Sequence, residues 1–279
     1  LYFAVGGMPR SVSAYLSRGL SAVRPVQERT LTQYANDFAK RMSADDARHA
    51  VVAWEKLQTY IGRPDPKALF GRLRHEPRMP REEKLRDFVQ WFADAGLISR
   101  LWRIGQAEHG FAGYRMADEI KAYSLDIGLL GAMLGIEPEA LIQNDRLRGR
   151  HLGTLAEQFV MQELVAAGRS RTIGYWNSPL PETKGGKPQP CEVDFLLDEG
   201  EEIVPLEVKS VEKFTSRSLD AFRESHPEIA RAVRVSPKNF GTDSRLWALP
   251  LYAVSSVSDF LKMENMPWNQ ETPYCARMR

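Results

Sequence analysis

The segment EVDFLLDEGEEIVPLEVKS, residues 192–210, holds seven carboxylates and one lysine in nineteen residues, yet its charges alternate with apolar side chains. A disordered acidic linker has no such period. Glu192 to Phe195 and Leu206 to Lys209 each follow the two-residue repeat of a strand, and Asp198-Glu199-Gly200-Glu201-Glu202 supplies the turn between them. With a symmetric turn, opposed residue numbers sum to 401, so Asp194 faces Glu207, Glu192 faces Lys209, and all four share one face. Like charges directly opposed on a strand pair are destabilising. Asp194 and Glu207 therefore need a shared cation or a bound proton, and a divalent metal, Mg²⁺ or Mn²⁺, is the economical solution. Lys209, beside that pair, is placed to orient a water or to meet phosphate charge. The plainer reading is a solvated hairpin with an acidic outer face. Against it, Ile203-Val204-Pro205-Leu206 is too apolar for a freely exposed edge.

The element that brings further acid to this hairpin is the helix predicted over residues 151–168. Leu152, Leu155, Ala156, Phe159, Val160 and Leu164 form its apolar stripe, with Glu157 at the edge and Glu163 nearer the middle. A glutamate in such a stripe is costly to bury without a partner, so either can point into the acidic cluster. Strands are predicted at 171–176, 231–236 and 246–254, with a helix at 216–224, and residues 179–190 read as a mobile loop carrying Lys184 and Lys187. Together these segments make an α/β domain.

The first half reads as mainly helical, at about 8–22, 28–59, 65–74, 82–96 and 136–145. In EEKLRDFVQWFADAGLISRLWRI, residues 82–104, a helix ends at Gly96 and a strand follows from Leu97, as at the close of a winged-helix module. The acidic Glu82, Glu83, Asp87 and Asp94 argue against that helix entering a major groove. Gly6-Gly7-Met8-Pro9 reads as a tight turn before a helix, and Asp126-Ile127-Gly128 as a cap and turn. The five histidines are scattered without ligand spacing and receive no chemical role, and the tryptophans are predicted core residues.

Composition bounds these readings. The chain has 279 residues, 43% of them apolar, and a net charge of +2. Lys and Arg outnumber Asp and Glu by 23 to 18 over residues 1–150, and fall short by 15 to 18 over 151–279. Nucleic-acid contact would draw on Arg146, Arg148 and Arg150, on Arg169 and Arg171, or on Lys213 and Arg217. Cys191 and Cys275 form neither a metal-binding spacing nor a disulfide framework, which suits a cytoplasmic protein. No apolar run approaches a membrane span. Gly185-Gly186-Lys187 lacks the context of a phosphate loop, so no ATP site is expected in this chain.

On Asp194, Glu207-Val208-Lys209 and a preceding helix with a glutamate, the chain resembles the PD-(D/E)XK nuclease superfamily. That resemblance favours Glu157, in the pattern Gly153-X-X-X-Glu157, over Glu163. The ordered series GGMP at 6–9, KAYSLDIGLL at 121–130, Gly153-X-X-X-Glu157, EVDF at 192–195 and EVKS at 207–210 is similar to the uncharacterised domain that follows the AAA+ ATPase core in many prokaryotic proteins. The resemblance implies an ATPase core upstream, a helical and winged-helix-like region at 1–148, and a restriction-endonuclease-like α/β domain at 149–279 with a mixed sheet flanked by helices. It further implies hydrolysis of nucleic-acid phosphodiesters, with Asp194 and Glu207 holding the metal, Glu157 or Glu192 as an additional acidic ligand, and Lys209 assisting. The alternative is a noncatalytic platform of the same fold that binds DNA or a partner and regulates the ATPase, with Glu207 and Lys209 as a structural ion pair.

Overall fold

The computed structural model describes residues 1–59, 70, 75, 79–143, 145–179, 190–210, 217–243 and 246–262. In chain order its elements are α1 (Tyr2–Val5), α2 (Pro9–Arg18), α3 (Val23–Arg41), α4 (Ala44–Thr59), α5 (Glu82–Asp94), β1 (Ile98–Ile104), β2 (Arg115–Ser124), α6 (Ile127–Met133), α7 (Pro138–Gln143) and α8 (Asp145–Ala166). There follow β3 (Ile173–Pro179), β4 (Pro190–Asp198), β5 (Ile203–Val208), α9 (Arg217–Ser225), β6 (Ala232–Ser236), β7 (Gly241–Asp243), β8 (Leu246–Pro250) and α10 (Val257–Leu261). The architecture is α/β, and the strands form one mixed sheet in the order β2-β1-β3-β4-β5-β6-β8-β7.

The expected helix over 28–59 is two helices. Met42 is extended, and the Ser43 hydroxyl accepts the Asp46 N–H at 3.2 Å, so a side-chain cap starts α4 where α3 has ended. Apart from Phe70, the helix expected at 65–74 lies outside the described residues, as does the Lys184–Lys187 stretch. Strand β2 was not expected. Its first half is mostly exposed and its last six residues are buried on both faces, so no single alternation runs through it.

Two junctions position the site. The β4–β5 pairs Phe195↔Leu206, Leu196↔Pro205, Leu197↔Val204 and Asp198↔Ile203 all sum to 401, the register expected from the symmetric turn. Between β3 and β4 the pairing jumps from Gly174↔Leu196 to Trp176↔Val193, so Asp194 and Phe195 together oppose Tyr175 in a β-bulge. The extra residue reverses the alternation. Cys191 and Val193 join Leu196 in the core beneath Leu219 and Phe222 of α9, while Phe195 and Leu197 pack with Leu155, Val160 and Leu164 of α8 on the other face.

A third core joins Phe38 of α3, Trp54 of α4 and Leu85, Phe88 and Phe92 of α5 to Ile98, Ile120 and Ala122 of the β1–β2 hairpin. That hairpin is also part of the large sheet, through the parallel bridge Arg103↔Tyr175. The sheet therefore crosses the division expected at residues 148 and 149, and α8 runs straight through it.

Candidate active site

Lys121 of β2 is 7% exposed, and its ammonium donates to Glu157 Oε1 at 3.1 Å and to Glu192 Oε1 at 2.5 Å. It lies 5.1 Å from the centre of the Tyr175 ring. Tyr123, two residues on and fully buried, donates its hydroxyl to the same Glu157 oxygen. Strand β2, helix α8 and strand β4 thus converge on one acidic centre. Of the two glutamates weighed on α8, Glu157 reaches it; Glu163 is half-buried, and its charge acts on Tyr2 instead.

Asp194 turns toward the next strand, where its Oδ2 accepts the Val208 N–H at 2.7 Å. Desolvation, with the Glu157 carboxylate second, pushes Asp194 up to about 8, and Glu207 adds in the same direction; Lys121 and the Val208 N–H pull it down without prevailing. Glu207 is 4% exposed and pairs through Oε1 with the Lys209 ammonium. Its Oε2 is buried and accepts no hydrogen bond among the described residues. Desolvation works to discharge Lys121, but Glu157, Glu192 and Asp194 outweigh it and raise its pKa above the usual lysine range. Burial and the Glu157 charge likewise keep the Tyr123 hydroxyl protonated.

The structure brings Glu157, Glu192 and Asp194 together around Lys121, and sets Glu207 with Lys209 beside Asp194 on the adjoining strand. Among the described residues, no three His, Cys, Asp or Glu side chains stand in a ready ion-binding arrangement. The donor set nevertheless suits a hard cation: it is all carboxylate oxygen, one of its oxygens is buried without a donor among the described residues, and one of its acids is raised first by burial and then by its neighbouring carboxylates. Lys121 and Tyr123 received no chemical role from the sequence. The signal was present: Glu119, Lys121 and Tyr123 alternate with Ile120 and Ala122.

Of the expected basic rim, Arg169 is paired with Glu199, and Arg171 is exposed. The side chains of Arg146, Arg148, Arg150, Lys213 and Arg217 lie outside the described residues. The glycine motifs have structural roles here. Gly6 has φ +75°, and a Cβ on it would stand 2.3 Å from Asp126 Oδ1; Asp126 caps α6 through the Leu129 N–H at 2.9 Å and also holds the Gly7 N–H at 2.7 Å. No helix of the described residues is long and apolar enough to cross a membrane.

No curated protein matches the chain. Residues 152–254 match the model of a domain of unknown function, DUF4143, and that region contains Glu157, Glu192, Asp194, Glu207 and Lys209. Residues 1–140, just over half the chain and including Lys121 and Tyr123, match a second model, so the chain belongs to the family described as domain of unknown function DUF8612.

Proposed function

We propose that the chain is a nuclease-like module that acts on nucleic-acid phosphodiesters beside an AAA+ ATPase core, as its resemblance to the PD-(D/E)XK and ATPase-linked proteins implies. The observation that carries this reading is Glu207, buried beside Asp194, with one oxygen on Lys209 and the other without a donor among the described residues. Asp194 and Glu207, with Glu157, would hold Mg²⁺ or Mn²⁺, which supplies Lewis acidity for phosphodiester hydrolysis. Lys209 meets the negative charge that grows on the phosphate. The Val208 N–H orients Asp194, and the Tyr123 hydroxyl orients Glu157. In the same reading the sheet with α8 and α9 is restriction-endonuclease-like, and α3, α4, α5 and the β1–β2 hairpin are winged-helix-like.

A second reading, the noncatalytic platform, is favoured by Lys121, whose ammonium already neutralises Glu157 and Glu192. The two are separated by nicking of junction, flap and linear DNA with Mn²⁺, using the protein fused to its ATPase core. The nuclease reading expects activity in the wild type and losses of about 10²-fold or more in Lys209→Ala and Glu207→Gln. Cleavage that survives both substitutions refutes this site, and absence of cleavage in every version favours the platform.

A further inference from the structure

Strand β1 turns Leu101 toward the α8 core and Trp102 toward the α3–α5 core. Around Trp102 stand Arg115, its guanidinium carbon 4.3 Å from the ring centre, and Arg100, at 5.0 Å. Arg171, exposed just before β3, acts with its charge on Arg115, and burial first, then Arg100 and Arg171, holds Arg115 below the usual arginine range. Among the described residues none of the three arginines has a carboxylate within ion-pair distance. Arg100 donates to the neutral Gln90 side chain at 2.6 Å and Arg115 weakly to Ser170 O at 3.5 Å, while the buried Arg115 Nε has no acceptor among the described residues.

The protein contains its own control for this arrangement. Arg231 lies 5.1 Å from the Trp247 ring centre in the same manner, but Glu202 accepts from two of its nitrogens. Arg86, Arg103 and Arg169 also have carboxylate partners. Guanidinium groups are forked donors that match the paired oxygens of carboxylates and phosphates. Two of them on one indole, with a third beside them, form a site whose anion is not supplied by the described residues.

We propose that Arg100 and Arg115 on the Trp102 ring, with Arg171 next to the Ser170 carbonyl that Arg115 reaches, seat the phosphates of a nucleic-acid strand. Nucleic acid as the source of the phosphate rests on the function proposed above; the need for an oxyanion does not. The test is anisotropy of a labelled single-stranded oligonucleotide titrated with the full chain in EDTA, so that binding is read without cleavage. Arg100→Gln, Arg171→Gln and the double variant are used because these side chains are partly or fully exposed; circular dichroism checks their fold. The double variant is expected to bind about tenfold or more weakly, with the slope of log K against log salt reduced by about two. Arg48→Gln, an exposed residue paired with Asp45 on α4, is expected to bind as wild type. Wild-type binding by the double variant overturns the proposal. So does saturation by inorganic phosphate without oligonucleotide binding, or poly-glutamate binding as tight as the oligonucleotide's. A protein that never cleaves but needs Arg100 and Arg171 to bind refutes only the nuclease reading, and an active one indifferent to both refutes only this seat.

Discussion

At the scale of single residues, the acidic centre is held by Lys121. Removing one partner of a buried ion pair leaves the other charge uncompensated, which costs more than the pair ever contributed. Lys121→Met is therefore expected to destabilise the fold by about 3–5 kcal/mol in urea titrations, and adding Glu157→Gln to recover part of that loss. A double variant as unstable as the sum of the two singles would show that the residues are not coupled. Asp194 gives a prediction in pH. Its folded pKa, about 8, lies above the roughly 3.9 of an unfolded aspartate, so between those values the native state keeps a proton that the unfolded chain has released. Stability of the metal-free protein must then fall as pH rises through that window. Asp194→Asn removes this term, so its urea midpoint should gain on the wild type steadily from pH 5 to about pH 8 in EDTA, and the difference should level off above that. A constant difference would mean that Asp194 is an ordinary carboxylate.

At the scale of elements, the seam between β1 and β3 decides whether Lys121 reaches the acids at all. Gly174 lies against it, and a Cβ there would meet Ile104 Cγ1 at 2.2 Å and the Trp102 carbonyl oxygen at 3.1 Å. Neither is the loose end of a flexible side chain. Gly174→Ala should therefore force the hairpin away from the sheet, with a loss of about 1–3 kcal/mol and faster amide exchange in β1 and β3 than in β6. Uniform exchange with unchanged stability would place the seam elsewhere. The link between β2 and α8 is tighter still: Gln158 accepts the Ser124 N–H at 2.8 Å and donates to the Ser124 carbonyl at 2.9 Å, so a helix side chain satisfies both backbone groups of an edge-strand residue. The connection after β1 is also tied down. Phe111 is 1% exposed, and Asp198 accepts the Gly110 N–H and contacts His109, both at 2.8 Å. The hairpin tip is packed against β4, and the outward α5 residues Glu83, Asp87 and Asp94 are acidic. The Arg100–Arg115–Arg171 patch is the better candidate for polyanion contact.

At the scale of the whole molecule, the two matched family regions share one sheet and one site. The first residues are clasped as well: Gln27 donates to the Ala4 and Val5 carbonyls, Asp126 holds Gly7, and Gln162 of α8 donates to the Tyr2 hydroxyl at 2.7 Å. Gly6→Ala would bring strain at a positive φ and a clash with Asp126. It is expected to cost about 2 kcal/mol or more and to lower the melting of the chain in a single transition, seen equally by far-ultraviolet dichroism and tryptophan fluorescence. Two separated transitions would show that the regions unfold independently.

The sequence by itself determined what depends on neighbours along the chain. Alternation and the acidic turn set the 401 register of β4 and β5, and helical spacing placed Glu157 and Glu163 on the helix that became α8. Local patterns stop there, because both glutamates lie near one stripe and only packing on the sheet selects Glu157. The bulge at Asp194 and Phe195 is equally silent in the alternation, since it arises from fitting β4 to β3 across residues that never neighbour in sequence. Lys121 enters the centre through the β1–β3 bridge, between segments more than seventy residues apart. Tertiary structure alone made a buried ion cluster from a lysine in one half and acids in the other, because charges separated along the chain meet only when strands pair side by side.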